Sequence, residues 1–175
     1  MKEFDREKFK AIVHYICHKA DKNELGATKL NKILWYTDTI QFLASGKSVT
    51  GETYVKQDYG PVPHHILQIM DELEVCDFIK REKSPYYNYK KTDYNCLKKP
   101  DVSSIEKKEL GLIDIFIDVI CKEHTAISIS TSTHDWIWEI ADQGEEIPLY
   151  TAFVANIKKP SEAARNWAMT ALDKR

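Results

Sequence analysis

The chain has 175 residues, 43% of them hydrophobic, and its 25 Lys and Arg against 27 Asp and Glu leave a formal net charge of -2. That size suits one domain with a substantial core, and the near balance of charge supplies no global attraction to nucleic acid or to an anionic membrane. No apolar run approaches the roughly 20 residues of a membrane span, and the polar start MKEFDREKFK lacks a signal peptide's apolar segment, so cytoplasm is the expected location.

Residues 5–20 predict a first helix capped by Asp5, with Phe9, Ile12, Val13, Ile16 and Ala20 facing inward. His14 and His18 stand at the i, i+4 spacing of zinc-binding pairs. The Glu that should follow the first histidine of that motif is replaced by Tyr15, which favours solvated or capping histidines. A long helix over 28–45 follows, capped by Thr28 and ended by a left-handed Gly46. Leu30, Ile33, Leu34, Ile40 and Ala44 form its buried stripe, and Lys29, Lys32 and Asp38 face water.

Near 53–58 the chain reads as a short strand in which Tyr54, Lys56 and Asp58 alternate with Thr53, Val55, Gln57 and Tyr59. Gly60 and Pro61 are expected to stop it, and Pro63 to begin a third helix over 63–76 with Ile66, Leu67, Met70 and Leu73 inward. By ordinary turn chemistry, the Tyr-Gly-Pro-Val-Pro junction is punctuation between strand and helix. Residues 78–92 predict a hairpin with Lys83-Ser84-Pro85 as its turn. Helix, helix, strand, helix, hairpin is the order of a winged helix, a fold that holds partners with its third helix and its wing.

After the polar connector 97–102, Ser103 and Glu106 suggest a capping box for a fourth helix whose core face carries Leu112, Ile113, Phe116, Ile117 and Ile120. The hydroxyl-rich and β-branched stretch 125–133 has mediocre helix propensity and leaves its conformation open. Ser132 or Thr133 is then expected to cap a short helix holding Trp136, Trp138 and Ile140, ended by Gly144 and Pro148. A last helix from Pro160, capped by Ser161, places Ala164, Trp167, Ala168 and Ala171 on one face. Trp167 needs cover, from the domain itself or from a second copy in a homo-oligomer.

The chemistry-bearing residues are scattered. Cys17, Cys76, Cys96 and Cys121 fit neither a metal motif nor a disulfide framework, and read as reduced thiols, three of them small core hydrophobes. The adjacent His64 and His65 diverge on a helix, so no metal or other cofactor is expected. Cys121 or Ser132 with His134 and Asp135 are the only candidates for catalysis. Asp135 directly follows His134 and is poorly placed to orient it, and no nucleophile elbow, phosphate loop or zincin motif appears, so the chain is not read as an enzyme.

Nucleic-acid binding competes more strongly. Lys80, Arg81, Lys83, Lys90, Lys91, Lys98 and Lys99 are interleaved with Tyr86, Tyr87 and Tyr89, which would suit backbone contact and base stacking. Edge lysines that discourage strand pairing explain the same pattern, and the third helix presents Asp71, Glu72 and Glu74 to any phosphate groove.

One set of segments is more specific: Lys29-Leu30-Asn31-Lys32-Ile33-Leu34-Trp35-Tyr36, Gly46-Lys47, Tyr54 through Val62, and Ser132-Thr133-His134-Asp135-Trp136. Together they resemble the Panacea domain, also called the SocA-like antitoxin domain, over roughly residues 8–150. Phage-associated GepA-like proteins belong to the same group. Trp35 beside the expected Tyr36 is a modest departure. The resemblance implies a mostly helical α+β domain with a small antiparallel sheet or hairpin over 1–155, followed by a helical extension at 156–175.

The same resemblance implies a bacterial or prophage antitoxin that binds and neutralises a cognate protein toxin, with no reaction of its own, and that can present the toxin to a protease. A winged-helix DNA- or RNA-binding regulator is the alternative. Tyr and Trp anchor many interfaces, and Tyr54, Lys56, Tyr59, Pro61, His64 and His134 are the expected partly exposed contributors to partner binding.

Overall fold

The computed structural model describes residues 3–86, 89–153 and 162. Its elements are α1 (Arg6–Lys19), α2 (Ala27–Ser45), β1 (Tyr54–Gln57), β2 (Gly60–Pro63), α3 (Ile66–Val75), β3 (Ile79–Tyr86), β4 (Tyr89–Cys96), α4 (Lys107–Glu123), α5 (Ala126–Thr131), α6 (Trp136–Ile140) and a 3-10 turn at Leu149–Phe153. The class is the expected mostly helical α+β, and the element order through α6 is the expected one with β2 and α5 added. The strands form two separate antiparallel hairpins, β1 with β2 and β3 with β4.

The first helix follows its sequence closely. Asp5 caps it by accepting from the Lys8 amide at 3.0 Å, and Phe9, Ile12, Val13, Ile16 and Ala20 are all buried. His14 departs from expectation: it is buried, its Nε2 lies 2.9 Å from the Lys98 carbonyl, and Phe78 meets its ring edge-on. Burial pushes its pKa below the ordinary histidine value.

The second helix is where periodicity misleads most. α2 is enclosed by α1, α4, α5, β2 and the 3-10 turn, so its first three turns are buried almost all round. Leu30, Ile33 and Leu34 are in the core as expected, whereas Ile40 and Ala44 are exposed near the helix end. Lys29, Lys32 and Asp38 are buried rather than solvated. The N-cap is Gly26 without a side-chain bond, not Thr28, while Gly46 closes the helix in the left-handed conformation at φ 71°.

Gly60 and Pro61 do not stop the strand; they begin its partner. The register pairs Tyr54 with Pro63, Val55 with Val62, Lys56 with Pro61 and Gln57 with Gly60, leaving Asp58 and Tyr59 as the turn. The His64 amide donates to the Thr53 carbonyl at 2.9 Å, so alternate amides from Val62 to His64 face β1. Pro61 and Pro63 fall on the intervening positions, where the ladder needs no donor. On the far edge of β1, Lys56 donates to the Glu145 carbonyl and Ile147 to that of Tyr54, so residues 144–147 cover that edge.

In α3 the buried residues are Ile66, Ile69, Met70 and Leu73, and Leu67, expected inside, is 72% exposed. The β3–β4 hairpin is longer than predicted. Lys83, Ser84 and Pro85 lie within β3, opposite Thr92, Lys91 and Lys90, and the connection falls beyond Tyr86. α4 is capped by Glu106 with Glu109 rather than by Ser103, and buries Ile113, Ile117 and Ile120, with Leu112 and Phe116 only half-buried. Glu109 also forms a buried ion pair with Lys8 of α1, at 2.6 Å.

The open stretch after α4 resolves into α5, capped by Thr125 with Ser128. α6 is capped by Asp135, which accepts from Ile137 and Trp138, in place of Ser132 or Thr133. Cys17 and Cys121 are buried, Cys96 is half-buried, and Cys76 is exposed; all four are free thiols. The last helix predicted from Pro160 lies outside the described residues.

Candidate protein-interaction face

Three segments far apart in the chain meet at Gly60: Lys32 of α2, the β1–β2 turn, and the α5–α6 connection. Gly60 has φ 99°, a left-handed value disfavoured for side-chain residues, and a Cβ there would collide with both Lys32 Nζ and Thr133 Oγ1. Ser130 of α5 donates to the Tyr59 carbonyl at 3.1 Å and so ties α5 to the turn. Tyr36 and Ser132 share a hydrogen bond at 3.0 Å, which ties α2 to the same connection.

Lys32 is 1% exposed, and among the described residues its Nζ makes one hydrogen bond, to the Pro61 carbonyl at 3.4 Å. Desolvation pushes its pKa down to about 7, with no carboxylate opposing it. Asp38 on the same helix is treated differently. It accepts from the Val49 and Thr50 amides at 2.8 and 2.9 Å, from the Thr50 hydroxyl, and from the Tyr54 hydroxyl at 2.9 Å. Burial raises its pKa and these bonds oppose the rise. The carboxylate thereby pins the loop after α2 and the start of β1.

Around the turn the aromatic and basic side chains are stacked. His134 lies parallel to Trp138, with centroids 3.7 Å apart, and Lys56 Nζ sits 4.3 Å from the Trp138 ring while donating to the Ala141 carbonyl at 2.9 Å. Trp138 Nε1 donates to the Gln57 carbonyl at 3.3 Å. Burial, and then the charges of Lys32 and Lys56, push the His134 pKa below its ordinary value. Tyr59 projects from the turn at 66% exposure, and His64 is exposed at the other end of β2. Beside it, His65 bonds the buried Glu52 at 3.0 Å and stacks on Phe4.

Of the six expected contributors, Lys56, Tyr59, His64 and His134 are at least partly accessible on or near this hairpin. Tyr54 and Pro61 are buried, which corrects the expectation that they are partly exposed: the Tyr54 hydroxyl is committed to Asp38, and Pro61 packs inward. Sequence reasoning missed Lys32, Asp38, Ser130, Thr133 and Trp138 as organisers of the face. The signal that could have found the first two is charged residues inside the apolar run of α2.

The catalytic candidates do not assemble. Ser132 bonds Tyr36 and the Ile129 carbonyl, Asp135 is occupied as a helix cap, and burial pushes the Cys121 thiol up. Ser130 lies 3.4 Å from His134 Nε2 and donates its hydroxyl to the Tyr59 carbonyl at 3.1 Å.

Three of the basic residues on the wing are paired with carboxylates. Lys80 pairs with Glu82 at 2.7 Å, Arg81 with Asp71 and Glu74 at 2.7 and 2.6 Å, and Lys91 with Asp93 at 2.8 Å. Among the described residues no three His, Cys, Asp or Glu side chains converge as metal ligands, and no helix is long and apolar enough to cross a membrane.

No curated protein and no solved structure matches the chain significantly. A family model does: that of the SocA-like antitoxin, Panacea domain, over residues 30–139. The matched span begins within α2 and ends within α6, and so contains every segment that meets at Gly60. The chain belongs to the SocA-like antitoxin family defined by the Panacea domain.

Proposed function

We propose that this chain is the antitoxin of a toxin–antitoxin pair and neutralises a cognate protein toxin by direct binding. Family membership carries the reading. The accessible face around the β1–β2 turn supports it, since exposed Tyr59 and the Lys56, Trp138 and His134 stack combine rigid aromatic area with polar handles. The partner-binding set is Lys56, Tyr59, His64 and His134. The domain spans 1–155 with 156–175 as an extension, the protein acts in the cytoplasm of a bacterium or from a prophage, and it carries out no reaction itself.

The test is co-expression with the adjacent gene. The neighbour alone should arrest growth, and the pair should restore it through a complex that survives size-exclusion chromatography. A harmless neighbour with no co-purifying product rejects the reading. Presentation of the toxin to a protease is a further step, and it predicts a shorter toxin half-life when the antitoxin is present.

The regulator alternative predicts salt-sensitive nucleic-acid binding that weakens when Lys80, Arg81 and Lys83 are neutralised. The pairing of Arg81 with Asp71 and Glu74 of α3, which takes the one wing arginine out of reach of a phosphate, supports the antitoxin reading instead.

A further inference from the structure

The second half of α2 carries an apolar strip that faces solvent. Ile40 and Leu43 stand three residues apart on one face of the helix, and both are exposed. Phe42, the neighbour of Leu43, meets Phe153 edge-on with ring centroids 6.0 Å apart. Tyr150 and Phe153 share one side of the 3-10 turn and are 60% and 58% exposed. Single exposed apolar side chains are ordinary, but four in one area mark a surface that something covers. We infer that the cover is the chain's own C-terminal segment, docked on the strip as a helix over residues 161–172.

The far side of the strip is formed by α4. Lys29 Nζ donates to the Cys121 carbonyl at 3.1 Å, and Tyr36 stacks on Phe116 with centroids 5.8 Å apart, so the two helices run antiparallel. Leu112, one turn before Phe116 on the same face, then falls level with Ile40, and both α4 side chains are only half-buried. The strip is a shallow groove between two helices, and Phe153 stands at its edge.

Three arguments choose the occupant. The first is where the chain goes. Phe153 already touches α2, and the eight residue steps from it to Ser161 reach at most about 26–29 Å, against about 10 Å along the helix from Tyr36 to Leu43. Such a short connector holds the segment at an effective concentration in the millimolar range, an advantage that the same helix on a second copy lacks.

The second is the pattern of the segment. Ala164, Trp167, Ala168, Ala171 and Leu172 fall on one face of a helix started by Ser161, with Glu162, Asn166 and Asp173 opposite. Glu162 itself is helical and exposed, as the polar face requires. The third is shape. Three alanines let the helix axis approach closely, and Trp167 is the one bulky ring, which suits a shallow groove flanked by few side chains. Lys32, which meets the β1–β2 turn, lies toward the other end of α2, so the docked helix leaves that turn free and the inference does not depend on the antitoxin reading.

The test is NMR on the full chain with isoleucine and leucine methyl groups labelled. The Trp167 ring should give nuclear Overhauser contacts to the Ile40 and Leu43 methyls. Trp167→Ala should remove the ring-current shift from those methyls and leave Ile12 and Ile16 of α1 unmoved. Ile40→Glu changes an exposed position and should retain the far-UV spectrum, while tryptic cleavage after Arg165 becomes faster by about tenfold as the helix is released.

Absence of the Trp167 contacts overturns the inference, as does cleavage after Arg165 that is as fast in the wild type as in Ile40→Glu. In a sample mixing labelled with unlabelled chains, contacts between copies assign the strip to a second chain and overturn docking within one chain; their absence supports it. If co-expression finds no toxin, the antitoxin reading fails while the contacts and the cleavage rate still decide where the segment lies.

Discussion

Asp38 and Lys32 are charged residues on one helix, at 0% and 1% exposure, and their surroundings differ completely. Asp38 is met by two backbone amides and two hydroxyls, so its position is determined by the groups it organises. Lys32 is met by one carbonyl at the limit of hydrogen-bond range. A buried charge with all its bonds made is a structural node, because removing it strands its partners. A buried charge with almost none made is a standing cost, which the group lowers by shifting its pKa toward the neutral form.

The sharpest way to break that comparison is Asp38→Ala. It strands the Thr50 and Tyr54 hydroxyls and the Val49 and Thr50 amides in the core, and should cost about 4 kcal/mol in urea unfolding. Asp38→Asn keeps the shape and should cost about half as much. A loss below about 1 kcal/mol for Asp38→Ala would mean that water replaces those bonds, and Asp38 would no longer be a node.

Lys32→Met should act in the opposite direction and stabilise the fold by about 2 kcal/mol at neutral pH, since an apolar chain of similar length replaces a desolvated charge. The pH dependence has a definite sign. The folded pKa of about 7 lies below the unfolded value of about 10.4, so between them the unfolded chain holds the proton and the folded one does not. Wild-type stability should therefore rise with pH from about 7 to about 10, and the Lys32 part of that slope should vanish in Lys32→Met. A wild-type curve equal to the mutant's would show that the ammonium is already paired.

Gly60→Ala should cost about 1–2 kcal/mol, from the left-handed φ and from the contact with Lys32 and Thr133. Part of that loss should be recovered in the Lys32→Ala background, where the double-mutant cycle reads the steric share. The smallest effect on stability belongs to Tyr59→Ala, within about 0.5 kcal/mol because the ring projects from the turn. If the proposed toxin is bound through this hairpin, the effect of Tyr59→Ala should appear as a faster dissociation rate of that complex. Unchanged dissociation would move the interface away from the hairpin.

Much of the scaffold was legible along the chain. Phe9, Ile12, Val13 and Ile16 recur at helical spacing beside the Asp5 cap, and the core face of α1 is where that pattern puts it. The same reasoning failed at Lys29, Lys32 and Asp38 because amphipathic periodicity assumes one face toward water, whereas α2 is surrounded. It failed at Pro61 and Pro63 because a proline is a strand breaker only where its missing amide is needed; two prolines two residues apart share the side of β2 that makes no ladder bond. The surface around the β1–β2 turn was half legible: Tyr59, Lys56, His64 and His134 could be named as partly exposed, but the Trp138 ring that packs against two of them could not be distinguished from a core aromatic.

The sequence by itself determined the class, the cap and core face of α1 and the family, because periodicity and an ordered series of motifs are local properties of the chain. Only the tertiary structure decided which charges are buried and which of them are matched. Burial is set by what packs against a residue from distant segments, and here the hairpin and the α5–α6 connection close over Lys32 while the loop after α2 closes over Asp38. Desolvation and hydrogen-bond satisfaction are properties of that enclosure, which no single segment contains.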